Sequence, residues 1–403
     1  MDIKKSILAL ALCTFFLANS QEKKENPFTT KWDNGFKIEN ADKSIKMKFG
    51  GRIMYDFGFF SLNDEAETNG YTLASENGNE FRRARLFTSG TIYKNVDFKL
   101  QLDFTGGEVA LKDAYITLKK LPVVGNLRVG HFKEPFRLEA LTSSKYITFM
   151  ERGLPISMIP ERNSGFMFFN ENANKRMSWQ VGLFRGANKV TSDSPEANGD
   201  YAITSRLAGV AVKNDNTLLH LGLSHSFRKP QEDKTYGYSV RPEVHISDKY
   251  IKTNVTGVEN INLFNFETAL VANSFSVQGE YSIANVNSTI QDETFNSYYI
   301  QTSYFLTGEK RKYKNSVVGF DRVKPINNFG ENGMGALELA LRYSAIDGME
   351  NDKMSNISAG INWHLNPATR IMANYVISNI ENNTQFSGDG QFNAFQMRFQ
   401  IDF

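Results

Sequence analysis

Apolar and polar side chains alternate with a period of two in segment after segment of this chain, each about ten residues long. In the clearest stretch Val96, Phe98, Leu100, Leu102 and Phe104 share one face, while Asp97, Lys99, Gln101 and Asp103 share the other. Phe49, Ile53, Tyr55, Phe57 and Phe59 likewise oppose Lys48, Arg52 and Asp56. Leu337, Leu339, Leu341 and Tyr343 oppose Glu338, Arg342 and Ser344. A soluble antiparallel sheet also alternates. Strand length, repetition and aromatics at the ends of the apolar faces instead favour a transmembrane antiparallel up-and-down β-barrel.

The last segment fits that architecture. Phe395, Met397, Phe399, Ile401 and Phe403 alternate with Gln396, Arg398, Gln400 and Asp402. A final strand of this kind ending on Phe403 resembles the signal read by the outer-membrane assembly machinery. Closure requires it to pair with the first strand, because an open edge in lipid leaves backbone groups without partners.

Connections alternate between short and long. Lys94-Asn95, Lys213 to Asn216, Asn273-Ser274 and Asn366-Pro367-Ala368 read as tight turns, whereas Asn63 to Glu80, Asn188 to Asp200 and Glu381 to Gly390 read as external loops. The pattern predicts about 16 strands, and at most 18, with the ambiguity between Tyr236 and Leu263. Gly308 to Gly333 falls on the turn side, and its length predicts that it folds back into the lumen. It carries Lys310, Arg311, Lys312, Lys314, Arg322 and Lys324 against Glu309, Asp321 and Glu331.

Between Pro135 and Arg162 the alternation stops. Leu138, Leu141, Tyr146, Phe149 and Met150 have roughly helical spacing, which predicts a short helix on the barrel wall inside an inward constriction loop over about residues 135–162. Thr142, Ser143, Ser144 and Lys145 would then form a hydroxyl-rich, cationic edge. Such groups replace the hydration of an oxyanion. An ordinary polar surface loop is the alternative.

Composition narrows the picture. Lys4 and Lys5 precede an apolar stretch from Ile7 to Ala18, and Ala18 and Ser20 supply small residues before Gln21, so residues 1–20 read as a signal peptide. Residues 21–45 then form a periplasmic lead-in and residues 46–403 the barrel. Cys13, the sole cysteine, lies in the signal, which removes disulfides and thiol catalysis from the mature chain. The formal net charge is +2, and losing Lys4, Lys5 and Asp2 leaves +1, too little to predict a nucleic-acid partner. His220 and His225 fall on opposite strand faces, and no histidine pair has convincing metal-ligand spacing, so neither catalysis, a metal nor a cofactor is expected.

Several segments resemble the phosphate-selective porin O and P family. They are Phe49-Gly50-Gly51-Arg52, Phe81-Arg82-Arg83-Ala84-Arg85, Asp113-Ala114-Tyr115, Val129-Gly130-His131-Phe132-Lys133-Glu134-Pro135-Phe136 and, most specifically, the run from Leu138 to Gly153. Later matches include Phe305-Leu306-Thr307-Gly308-Glu309 and Asn362-Trp363-His364-Leu365-Asn366-Pro367. The resemblance implies a trimeric, sixteen-stranded porin in outer-membrane lipid, with a loop in its lumen. It implies passive diffusion of small anions such as phosphate, pyrophosphate and chloride through an Arg/Lys-lined constriction.

The resemblance also carries a phosphate-coordinating set onto Arg52, Arg82, Arg83, Asp113, Ser143, Ser144 and Arg152. Alternation independently turns Arg52, Arg83 and Arg85 away from the lipid, and Asp113 away from Ile116 and Leu118. Lys145 joins this anion-binding, pore-lining group through its place beside the serines. Two departures stand out. The arginine ladder of specialised members is reduced to Arg241 in the stretch Tyr236 to Glu243, and a family lysine before the serines is replaced by Ala140. A general or oligosaccharide-permeable diffusion porin is therefore the alternative, with Tyr236, Tyr238 and Tyr299 as an aromatic track for sugars.

Overall fold

In a computed structural model, which describes residues 27–185, 200–230, 234–383 and 385–403, sixteen antiparallel strands close into one barrel. The predicted signal peptide and most of the loop expected at Asn188 to Asp200 lie outside the described residues. The first strands are β1 (Lys46–Leu62), β2 (Asn77–Ile92), β3 (Val96–Asp103), β4 (Ala110–Leu121) and β5 (Gly125–Lys133). There follow β6 (Arg162–Glu171), β7 (Met177–Phe184), β8 (Tyr201–Lys213), β9 (Thr217–Lys229), β10 (Val258–Ala272) and β11 (Phe275–Ser288). The last are β12 (Glu293–Phe305), β13 (Ala336–Asp347), β14 (Lys353–His364), β15 (Thr369–Glu381) and β16 (Gly390–Asp402). Each pairs with its sequence neighbour, and β16 returns to β1 in the register Phe392↔Leu62 through Asp402↔Arg52. Among the sixteen described barrel strands none is left as an open edge in lipid.

The alternation sets the two faces. Leu339, Leu341 and Tyr343 are outward and exposed, whereas Glu338, Arg342 and Ser344 are inward and buried. The expected tight turns fall between strands as read. Two segments differ from the sequence expectation. The lead-in contains a hairpin, Phe28–Trp32 with Phe36–Asn40, whose second strand pairs with β1. The ambiguous stretch from Tyr236 adds no barrel strand, but forms a separate hairpin of Tyr236–Val240 with Ile251–Val255. That fixes the count at sixteen.

The inner face of β10 to β16 is layered. At the loop end it is apolar, with Ile261, Leu263, Val286, Phe295, Ile346, Met354, Ile380 and Phe392 buried. Tyr238, Val240, Val244, Tyr250 and Ile251 of the 236–255 hairpin share one hydrophobic cluster with these residues, together with Leu154 and Met158. The middle layer is polar and binds residues 134–153. Asn374 accepts from Met150 N at 2.9 Å, Asn362 donates to Thr148 O at 2.8 Å, and Arg370 donates to Ile147 O at 2.9 Å. At the turn end the inner face of β8 to β11 meets the hairpin Lys312–Asn315 with Gly319–Asp321. Arg311 there donates to Gln278 at 3.0 Å, and Tyr313 bonds His220 at 2.7 Å.

The helix expected between Leu138 and Met150 is a single turn, Leu138–Leu141. Glu280 caps it by accepting from the backbone N–H groups of Leu138 and Glu139 at 3.0 and 2.9 Å. Beyond Thr142 the backbone makes one further turn, Tyr146 N to Ser143 O at 2.8 Å, and Ile147 O, Thr148 O and Met150 N are then taken by wall side chains, so the helix does not continue.

Candidate functional site

Three segments thus pack against inward side chains of β8 to β16, and the wall of β1 to β6 faces a cavity of about 420 Å³. Arg52, Arg82, Arg83, Arg85, Lys99, Lys112, Arg128, Lys133, Arg152, Arg162 and Arg241 line it, against the carboxylates of Asp113, Glu151, Glu161 and Glu243. Of the residues expected from sequence, Arg52, Arg82, Arg83, Arg85, Asp113, Ser143, Ser144 and Arg152 come together here.

Lys145 does not. It lines a separate cavity at the turn end and pairs with Asp402 at 3.0 Å. Burial is the main cause that lowers its ammonium to about 8, with Asp402 opposing the shift and Arg52 and Arg322 assisting it. Below that pH Lys145 is charged and above it neutral. Anion preference is therefore expected to fall between about pH 7 and 9, and a K145M channel should lack this step. A reversal-potential titration in bilayers checks this, and a step that survives K145M excludes Lys145.

Two β-bulges shape the cavity wall. Between β1 and β2 the register passes from Met54↔Arg83 to Tyr55↔Phe81, leaving Arg82 as the extra residue. Arg82 and Arg83 therefore both reach Glu151, although strict alternation points neighbours apart. Between β3 and β4 the step from Gln101↔Asp113 to Leu102↔Leu111 frees Lys112 in the same manner. Alternation places Lys99 inward, but only the fold pairs it with Asp113, at 2.6 Å.

The cations divide by how fully they are matched. Arg82 grips Glu151 with two hydrogen bonds, 2.7 and 2.8 Å, and Arg398 reaches the same carboxylate at 2.9 Å. Burial alone would raise the Glu151 carboxyl, but Arg82, Arg83 and Arg398 override it and hold it well below the usual range. Arg162 lies between Asp113 at 2.9 Å and Glu161 at 2.7 Å. Arg152, carried over as an anion ligand, instead donates to the carbonyls of Glu139, Ala140 and Thr142 at 2.9 to 3.4 Å. Lys133 reaches the carbonyls of Ala140 and Thr142 as well. Both cations thus hold the C-terminal end of the Leu138–Leu141 turn.

Arg52 is different. It donates to Ser144 Oγ at 2.8 Å and Ser143 Oγ at 3.5 Å, and its Nε is buried without a partner. Among the described residues no carboxylate lies within ion-pair distance of Arg52, Lys112, Arg128 or Arg241. A guanidinium beside two hydroxyls, all opening on one cavity, is the chemistry that takes over an oxyanion's hydration. The tyrosine track does not line this cavity. Tyr236 and Tyr238 pack on Phe295, and buried Tyr299 donates to Glu280 at 2.6 Å.

The phosphate-selective porin O and P family model matches residues 47–403. Porin O of Pseudomonas aeruginosa is 25% identical over 99% of this chain and 98% of its own length. An uncharacterized protein of Caulobacter vibrioides is 30% identical over 94% of this chain and 78% of its own. Among solved structures, an anion-selective porin from Comamonas acidovorans superimposes with a TM-score of 0.57 at 12% identity, over 89% of this chain and 100% of that one. The outer membrane channel DcaP of Acinetobacter baumannii gives 0.56 at 12% identity, over 90% and 99%. These two share the barrel fold. Barrel, closure and family match agree: this chain is an outer-membrane porin and belongs to the phosphate-selective porin O and P family.

Proposed function

We propose that this porin passes small anions by diffusion through the Arg/Lys-lined cavity beside residues 134–161, with phosphate-like ions among its substrates. The observation that carries the reading is Arg52, buried, unmatched by any carboxylate among the described residues and held against Ser143 and Ser144. The inward segments support a narrow, off-axis passage, because a sixteen-stranded barrel left unfilled is a wide aqueous channel. Eleven basic groups against four carboxylates support anion preference. Phosphate would accept from the Arg52 fork and from both serine hydroxyls. Asp113 and Glu151 would keep the neighbouring cations matched, so that the ion is bound weakly enough to leave. The family's homotrimer belongs to the same proposal.

Reversal potential in planar bilayers under a KCl gradient, followed by phosphate titration of the chloride current, tests it. A chloride-selective current blocked by phosphate is expected. R52Q should raise the half-blocking phosphate concentration by about tenfold, the scale of one charge-assisted hydrogen bond. A weakly selective current indifferent to phosphate in the native channel overturns the reading.

A further inference from the structure

Arg128 lines the cavity but belongs to none of the ion-pair groups described so far. It lies on β5, near the turn to β4, with its guanidinium carbon 4.3 Å from the ring centre of Tyr115, 5.0 Å from Phe169 and 5.4 Å from Phe132. Its polar contact is from Nε to Thr117 Oγ1 at 3.2 Å. Among the described residues no carboxylate lies within ion-pair distance of it. Apolar side chains border the same cavity: Val317 and Val318 at the tip of the hairpin between Lys312 and Asp321, Leu141, and Met167, the strand partner of Arg128.

A guanidinium stacked on rings keeps its N–H edge free, because the rings engage its face and not its in-plane donors. A bare, strongly hydrated anion gains only the charge at such a place. An anion that carries an apolar group gains the rings and the valines in addition.

We propose that Arg128, Tyr115 and Val318 form a second station in the passage that selects organic anions, phosphomonoesters with a small apolar or aryl group, over inorganic phosphate. The inference rests on the anion-pore reading above and names a substrate class for it. The phosphate oxygens would accept from the Arg128 edge while the organic group lies between Tyr115 and Val318.

Chloride current through the native porin in planar bilayers tests this, with phenyl phosphate, methyl phosphate and inorganic phosphate titrated separately at one pH. Phenyl phosphate is expected to half-block at a concentration about fivefold lower than inorganic phosphate, the scale of one aromatic contact, with methyl phosphate between them. V318N should bring the three together and leave the inorganic phosphate block unchanged. R128Q should weaken phenyl phosphate more than inorganic phosphate, whose main site at Arg52 is intact. Equal block by all three in the native channel overturns the station, as does a preference that survives both V318N and R128Q. A current that none of the three blocks, without chloride preference, overturns the anion-pore reading itself.

Discussion

Excising residues 235–256 and joining the flanking strands through a short Gly-Ser turn is expected to raise single-channel conductance, because one of the three segments that narrow the lumen is gone, while anion preference falls only in part, because Arg52, Ser143 and Ser144 stay in place. The hairpin does not line a loop surface. Tyr238, Val240, Val244, Tyr250, Ile251 and Val255 are buried against the inward apolar layer of β10 to β16. Its tip is pinned by Glu243, whose carboxylate accepts from Arg342, Ser344, Ser358 and, at 3.2 Å, Leu154 N. Each large apolar side chain in such a cluster contributes about 1.5–3 kcal/mol by staying out of water. The excised barrel therefore exposes Ile261, Phe295 and Phe392 to the lumen and should also melt earlier. E243Q separates the two effects. It keeps the apolar cluster but weakens the anchor, so its current should flicker between the native level and the wide one. Unchanged conductance after excision would mean that ions do not pass beside the hairpin at all.

The same hairpin shows where the sequence stops being legible. Strands with one lipid face and one polar face, such as Val96 to Asp103, announce themselves by alternation. In β10 the outward Phe264 and Phe266 alternate with inward Ile261 and Leu263, so both faces are apolar near the loop end and the period-two contrast disappears. The inward layer is apolar because a distant segment covers it, and that contact has no local signature. The bulges at Arg82 and Lys112 were hidden for a related reason. An extra residue in one strand is defined by its partner's register, and alternation alone assigns Arg82 to the lipid side. Arg52, Arg83, Arg85 and Asp113 are readable, since each lies on the side of its bulge where the register runs unbroken to the turn. The contacts of Arg152 are less legible than its position. Its position on the loop is as the family resemblance implies, but the carbonyls that occupy it belong to a helical turn that closes sooner than the apolar spacing suggests. Lys145 was misplaced because Ser144 and Lys145 diverge across the loop backbone, one to Arg52 and the other to Asp402.

Replacing Arg398 by methionine is expected to cost about 3–5 kcal/mol of barrel stability, the scale of leaving a buried carboxylate without its partner. Arg398 is fully buried on β16, close to the seam with β1. Its Nε and Nη2 meet both oxygens of Asp56 at 2.6 Å, Nη2 also reaches Glu151 at 2.9 Å, and Nη1 donates to Met150 O. One guanidinium therefore joins the closing strand, the first strand and the loop that borders the cavity. Methionine matches its bulk but none of its donors. Asp56 would lose both of its hydrogen bonds to Arg398, whereas Glu151 would keep Arg82 and Arg83. That asymmetry makes the outcome specific. Adding D56N to R398M should recover most of the lost stability in urea unfolding from lipid vesicles. Adding E151Q should recover little, and should instead release Arg82 and Arg83 and shift the reversal potential toward stronger anion preference. The loop would still lack its bond at Met150, so the D56N double variant should regain stability without regaining the native current noise. An R398M barrel as stable as the native one, or a D56N double variant no better than the single, would show that the seam does not depend on this charge pair.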